Sequence, residues 1–168
     1  ITGRERVIDS LSTLAFDYPR RSKFFTKQLE HFLLLTREEK LDPLVMKGSY
    51  AGAMGYGQFI PSSYRSYAID FDDDGIRNIV TNPIDAIGSV ANYLSKHGWE
   101  RNATIAEALT KNDVNSNFKT SLSLKEPDAL ELASKINLPN KKYLQINFED
   151  KEFWLGHKNL YVLSRYNR

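Results

Sequence analysis

The sequence predicts an α+β protein: a mostly helical body over residues 1–112, then a small β-rich subdomain over 113–168. Three observations predict it. Over residues 5–17, 22–39 and from Asn82 onward, apolar side chains recur three and four apart, the period of a helix with one buried face. In the last third the period falls to two, as in Ser121-Leu122-Ser123-Leu124 and Leu144-Gln145-Ile146-Asn147-Phe148, the alternation of half-buried strands. Between the helical runs lies a stretch, 44–69, crowded with small residues and fitting neither period.

The first helix, 5–17, places Val7, Leu11, Leu14 and Ala15 on one face, and Pro19 stops it after Asp17-Tyr18. A second helix fits 22–39, with Phe25, Leu29, Phe32 and Leu33 on its buried face, and ends in a polar turn before Leu41-Asp42-Pro43. In 44–69, Gly48, Gly52, Gly55 and Gly57 are interleaved with Ala51, Ala53, Tyr50, Tyr56 and Phe59; small residues let backbones approach each other or a ligand closely. An acidic loop runs from Asp70 to Gly75. A third helix opens at Asn82-Pro83, with Asn82 as N-cap and Pro83 at the first helical position. Ile84, Ile87, Ala91 and Leu94 form its predicted buried face, and Lys96-His97-Gly98 its end. A short helix fits 104–111 and a polar loop 112–117. Strands then fit 121–124, 144–148, 153–155 and 160–163, with hairpin turns at 149–151 and 156–159 and a short helix near 127–135.

Composition bounds the function. The 168 residues suit one compact domain or one with a small satellite, and 41% hydrophobic content supports a core. A net charge of +2 argues against a nucleic-acid partner and suits a mildly basic protein that meets an anionic polymer. With no cysteine, disulfides and thiolate metal sites are excluded, a composition compatible with a bacterial envelope protein. The longest strictly apolar stretch, Phe32-Leu33-Leu34-Leu35, falls far short of the roughly 20 residues of a membrane span. No signal-peptide or lipidation pattern occurs within these residues, and Ile1 in place of an initiator methionine predicts a processed or trimmed product.

Asp70, Asp72 and Asp74 occupy positions 1, 3 and 5 of an EF-hand-like calcium loop, with Gly75 at position 6 for the sharp turn and the Ile76 carbonyl at position 7. Alternating aspartates can converge on one hard cation. Position 12 holds Thr81 rather than glutamate, so Asp85 in the first turn of the third helix is the carboxylate that would close the site, giving a loop over 70–85. The alternative is a solvated acidic turn, with Asp85 complementing the helix dipole. Gln58, an amide among glycines and aromatics, is either a partner for sugar hydroxyls and acetamides or a satisfied core amide. Trp154, Tyr161, Tyr166 and Asn167 combine aromatic faces with an amide, an arrangement of carbohydrate clefts and also of ordinary cores.

The run from Lys47 to Tyr64, Lys-Gly-Ser-Tyr-Ala-Gly-Ala-Met-Gly-Tyr-Gly-Gln-Phe-Ile-Pro-Ser-Ser-Tyr, closely resembles the hallmark of the membrane-bound, B-type lytic murein transglycosylases. Asp70-Phe71-Asp72-Asp73-Asp74-Gly75 resembles their single EF-hand-like calcium loop, and Asp85 to Tyr93 the helix that follows it. Asp9 to Phe16 and Ser164-Arg165-Tyr166-Asn167 extend the resemblance over nearly the whole chain.

The resemblance implies a lysozyme-like fold whose small β-rich subdomain returns to the cleft. It implies cleavage of the β-1,4 bond between N-acetylmuramic acid and N-acetylglucosamine, with a 1,6-anhydro product. One glutamate serves as general acid, and the muramyl 6-hydroxyl replaces a second enzymic nucleophile. That glutamate is expected a handful of residues before Ile1, upstream of a segment like Thr2-Gly3-Arg4; no residue of this sequence is its match, so the chain alone is expected to be inactive. Glu5, Glu30, Glu38 and Glu39 do not fit the motif, and both ends read as cut from a larger catalytic domain. By resemblance, Ser49, Met54, Tyr56, Gln58, Tyr93, Tyr166 and Asn167 bind substrate. Asp70, Asp72, Asp74, Asp85 and the Ile76 carbonyl bind a structural calcium, and no cofactor serves catalysis. The implied partner is the peptidoglycan glycan strand, met by a monomer in the periplasm or cell envelope, with a lipid anchor outside the sequence as the means of membrane attachment. A noncatalytic, calcium-stabilised peptidoglycan-binding module and a hydrolytic lysozyme are the alternatives.

Overall fold

The computed structural model describes residues 3–109, 144–147 and 153–166. The chain forms two compact units, Ile1–Tyr93 and Leu94–Arg168.

In the first unit, α1 (Val7–Phe16) packs on α2 (Ser22–Glu38), joined by a 3-10 turn at Pro19–Arg21. Val7, Leu11 and Ala15 are buried at the spacing read from the sequence. A short strand, β1 (Glu5–Arg6), precedes α1 and pairs antiparallel with β2 (Lys47–Gly48). Leu11 lies against Gly52, where a Cβ would strike it, so α1 buttresses the glycine-rich stretch.

The buried stripe of α2 is Phe25, Gln28, Phe32, Leu35 and Thr36. Leu33 is 48% exposed, which corrects the face predicted for it. The stripe is set by what flanks it: α2 packs on α1 and on α3 (Pro61–Tyr67), a helix the sequence reading did not separate from the glycine-rich stretch. Gln28 is admitted to this seam because its Oε1 accepts the Ser62 N–H at 3.0 Å, satisfying one of the orphan donors of the first turn of α3. Tyr64 of α3 is fully buried and donates its hydroxyl to the Arg77 carbonyl at 2.7 Å; burial pushes its phenol up to about 12.

The third predicted helix is α4 (Pro83–Lys96), and the boundary between the two units falls within it. Both its ends agree with the sequence. Asn82 Oδ1 accepts the N–H groups of Ile84 and Asp85 at 2.9 and 3.4 Å. At the other end Trp99 N–H reaches the Leu94 carbonyl at 3.0 Å and Gly98 N–H the Ser95 carbonyl at 2.9 Å, the paired closure of a glycine-terminated helix. The predicted buried face is wrong: Ile84 is 49% and Ile87 70% exposed, and Ala91 is exposed. Asp85, Ala86, Gly88, Ser89 and Tyr93 are buried instead. Specific side-chain bonds to the segment 67–78, rather than apolar area, decide which side turns inward.

In the second unit, β3 (Ala106–Leu109), β4 (Leu144–Asn147) and β5 (Phe153–Gly156) form a sheet in the order β3-β5-β4, antiparallel throughout. The helix predicted over 104–111 is therefore corrected to a strand where it is described: Ala, Glu and Leu favour helices, but pairing with β5 overrides that weak preference. The strand predicted at 160–163 and the turn at 156–159 are likewise corrected, to α5 (Lys158–Tyr166). Four consecutive apolar residues, Leu160 to Leu163, carry no clear period, and the buried pair Asn159 and Val162 shows the helical one. Buried Asn159 ties the start of α5 to a turn, accepting the Glu100 N–H at 2.9 Å and donating to the carbonyls of Glu100 and Ala103 at 2.8 and 3.2 Å. The strand at 121–124, the helix near 127–135 and the turn at 149–151 lie outside the described residues. No helix among the described residues is long and apolar enough to cross a membrane.

Candidate functional site

The glycine-rich stretch folds into two nested turns. Ser49 N–H bonds the Ala53 carbonyl and Gly52 N–H the Ser49 carbonyl, both at 2.8 Å, while Ser49 Oγ accepts the N–H groups of Ala51 and Ala53 at 3.3 and 3.0 Å. Met54 and Phe59 then exchange both backbone bonds, at 2.9 and 3.0 Å, pinching Gly55–Gln58 into a tight loop. Gly55 has φ +68° and its α-carbon lies so close to the Ile79 carbonyl that a side chain would collide with it. At the tip, Tyr56 is 60% exposed and Gln58 is exposed, with φ +48°; Gln58 Nε2 donates to the Gly55 carbonyl at 2.8 Å. Gln58 is thus not a buried core amide.

These pairings bring Ser49, Met54, Tyr56 and Gln58 into one wall. Met54 is fully buried, so its side chain lies inside the wall rather than on its surface. Phe59 continues the wall to Tyr93 of α4, ring centroids 5.8 Å apart, and Tyr93 meets Tyr67 edge-on at 4.8 Å. Tyr93 is only 8% exposed. Tyr166 is half-buried on α5 in the second unit, and Asn167 lies outside the described residues.

The acidic loop begins where Tyr67 ends α3. Asp70 accepts the N–H groups of Asp74 and Gly75 at 3.1 and 2.7 Å, and Gly75 turns the chain at φ +89°. Asp85 is fully buried; its two oxygens accept Phe71 N–H and Asn78 N–H, each at 2.8 Å, stapling both ends of the loop. Asp72 accepts the Asn82 side-chain amide at 2.9 Å. Ligand atoms of Asp70, Asp72 and Asp85 lie within 4.8 Å of one another, a donor set suited to a hard cation. Asp74 is outside this group, its carboxylate held by Ile76 N–H at 2.8 Å. No described lysine or arginine pairs with the three; Arg77, the nearest in sequence, is bound to Glu39.

Sequence reasoning missed several contributors. Asn78 accepts Val80 and Thr81 N–H groups, and Ser89 and Asn92 bond the backbone at Ile69 and Tyr67. The signal was the polar spacing Asp85, Ser89, Asn92 on one helix face. Among described glutamates, Glu38 is held below the usual carboxylate range by its two-pronged hydrogen bonding to Arg65, at 2.9 and 2.6 Å, which suits a surface ion pair and not a proton donor.

A profile of the transglycosylase SLT domain matches residues 1–168. The membrane-bound lytic murein transglycosylase B of Escherichia coli (strain K12) is 43% identical over 99% of this chain and 48% of its own length. Soluble lytic transglycosylase SltB1 from Pseudomonas aeruginosa superposes with a TM-score of 0.86 at 44% identity, covering 99% of this chain and 59% of that one. Escherichia coli lytic transglycosylase Slt35, solved in complex with calcium, gives 0.83 at 41% identity, covering 99% and 55%. The chain spans about half the length of the curated relative it matches. Motif, fold and the match along the whole of this chain agree: the chain belongs to the transglycosylase SLT domain family, and within it is similar to lytic murein transglycosylase B.

Proposed function

We propose that the protein cleaves the β-1,4 bond between N-acetylmuramic acid and N-acetylglucosamine in peptidoglycan, leaving 1,6-anhydromuramyl ends. The observation that carries this reading is the exposed turn of Tyr56 and Gln58, closed by the Met54–Phe59 pairing with Gln58 in a left-handed backbone. An amide and an aromatic ring presented on a rigid turn suit a sugar's acetamide and its apolar face. Ser49, Tyr56, Gln58 and Tyr93 bind the glycan, with Met54 buried inside their wall, and Tyr166 and Asn167 are the further glycan-binding residues that the resemblance implies.

The general acid is a glutamate upstream of Thr2-Gly3-Arg4. It protonates the leaving oxygen and then, as its conjugate base, takes the proton of the muramyl 6-hydroxyl as that oxygen attacks the anomeric carbon. The pairing of Glu38 with Arg65, which holds its carboxyl below the usual range, and the ion pair of Glu39 with Arg77 support this assignment, since both carboxylates are engaged with arginines. Asp70, Asp72 and Asp85 would hold calcium, and Asp74 and the Ile76 carbonyl are the further ligands that the resemblance implies. The ion supplies charge neutralisation in a structural role. The setting is the bacterial periplasm or envelope, where a monomer meets glycan strands.

The test is digestion of purified peptidoglycan followed by mass spectrometry. The protein extended upstream through the glutamate should release anhydromuropeptides, and residues 1–168 alone should be slower by about 100- to 10,000-fold, the usual worth of a general acid. Reducing ends in place of anhydro ends identify a hydrolase. Binding without cleavage by the extended protein identifies a noncatalytic module. Normal turnover by residues 1–168 would move the acid into this chain.

A further inference from the structure

We propose that Ser89 and Asn92 are positioning residues for the metal loop: they set its backbone in the ion-binding shape before the ion arrives. The proposal rests on the calcium reading above and goes beyond the ligands themselves.

Asp85, Ser89 and Asn92 stand four and three residues apart on α4, and so share one face. Each bonds the backbone of the chain that runs past it. Asn92 Nδ2 donates to the Tyr67 carbonyl at 2.8 Å. Ser89 Oγ accepts Ile69 N–H at 2.9 Å and leans toward the Ile69 carbonyl at 3.4 Å. Asp85 takes Phe71 N–H at 2.8 Å. The backbone advances by twos, 67, 69, 71, while the helix descends 92, 89, 85, so the two segments zip antiparallel. Gly88 lies in the middle of this face, where any side chain would collide with the Phe71 ring. That close approach is what lets the loop lie on the helix.

Asp70 sits between the two pinned residues Ile69 and Phe71. Its direction is therefore fixed by Ser89 on one side and Asp85 on the other. The need for such fixing is electrostatic. Three carboxylates with ligand atoms within 4.8 Å repel one another, and an untethered loop would relax by spreading them. A loop already held in place requires the ion to supply none of that ordering. Without the Ser89 hydroxyl, the Ile69 N–H loses its partner and the ion must order the chain as it binds. Ser89 is 1% exposed, and both Ser89 and Asn92 are bonded to backbone groups of the passing segment, so they act on the loop through its backbone.

The experiment is calcium titration by calorimetry on metal-stripped protein, paired with melting curves with and without calcium. The variants are Ser89→Ala and Asn92→Leu, with Ile87→Ala on the exposed face as control. Ser89→Ala should weaken calcium binding by about 10-fold, the lower end of what lost supporting partners cost a metal site. Asn92→Leu should move affinity in the same direction, and Ile87→Ala should not move it. If both loop variants melt earlier by equal amounts with and without calcium and keep the wild-type affinity, the two residues are merely structural and the proposal is overturned. Should Ser89→Ala fail to fold, Asn92→Leu decides the question alone. A folded wild type that takes up no calcium overturns the calcium reading and this proposal together, an outcome distinct from wild-type binding left unchanged in the variants.

Discussion

Gln58 holds a left-handed backbone, φ +48°, that residues other than glycine, asparagine and aspartate seldom adopt. Such strain costs on the order of 1 kcal/mol or more and persists where the surroundings enforce it. Gln58→Gly relieves it. Against that relief stand a freer unfolded chain, about 0.4–1 kcal/mol, and loss of the side-chain bond to Gly55, about 1 kcal/mol. The terms nearly cancel, so urea unfolding should shift by less than about 1 kcal/mol. Turnover in the extended protein should fall by at least about 10-fold if the amide binds substrate. A variant equally active would remove Gln58 from the site. Gln58 stood out in the sequence as an amide among glycines and aromatics, but the sequence left it open between a sugar partner and a satisfied core amide, and its exposure removes the second. Its conformation was not legible in the sequence, because φ depends on the Met54–Phe59 pairing, which no local pattern reports. Met54 illustrates the converse: its place in the motif gave no sign that its side chain would point inward.

At the scale of elements, the ends of α4 were legible and its face was not. Caps are local chemistry: Asn82 and Gly98 act within a turn of themselves. A buried face is a tertiary outcome, and here Asp85, Ser89 and Asn92 outcompete Ile84 and Ile87 because burying the latter would leave the loop's backbone groups unbonded. Asn82 serves twice, capping α4 and donating to Asp72 at 2.9 Å. Asn82→Ala should cost about 1 kcal/mol in urea unfolding of calcium-free protein, and Asn82→Gly only a few tenths, if capping dominates. Equal losses in the two variants would assign the effect to the Asp72 bond. The β3 and α5 corrections share one cause: short segments such as Ala106–Leu109 take their state from the strand or turn they meet.

For the whole molecule, the proposed calcium site is the feature whose effect would reach furthest, because the loop joins α3 to α4. A ligand that binds only the folded state stabilises it by about 2.7 kcal/mol at one hundred times its dissociation constant. Millimolar calcium should therefore raise the melting temperature of metal-stripped protein, and Asp72→Ala should abolish most of the rise. A melting curve indifferent to calcium and chelator would leave only a solvated acidic turn. The helical body and the acidic loop could be read from spacing, since both are written in contiguous residues. Burial of Asp85, by contrast, depends on the amides of Phe71 and Asn78, fourteen and seven residues before it. The zip of α4 against residues 67–71 has one more consequence. A run of chain outside regular structure, with free amides and carbonyls, is a template on which another polypeptide can grow a strand. Here the helix's own side chains occupy the Tyr67 carbonyl and the amides of Ile69 and Phe71, and they offer no backbone beyond themselves to continue the ladder. At these groups the segment is closed to intermolecular β-pairing with no strand covering it.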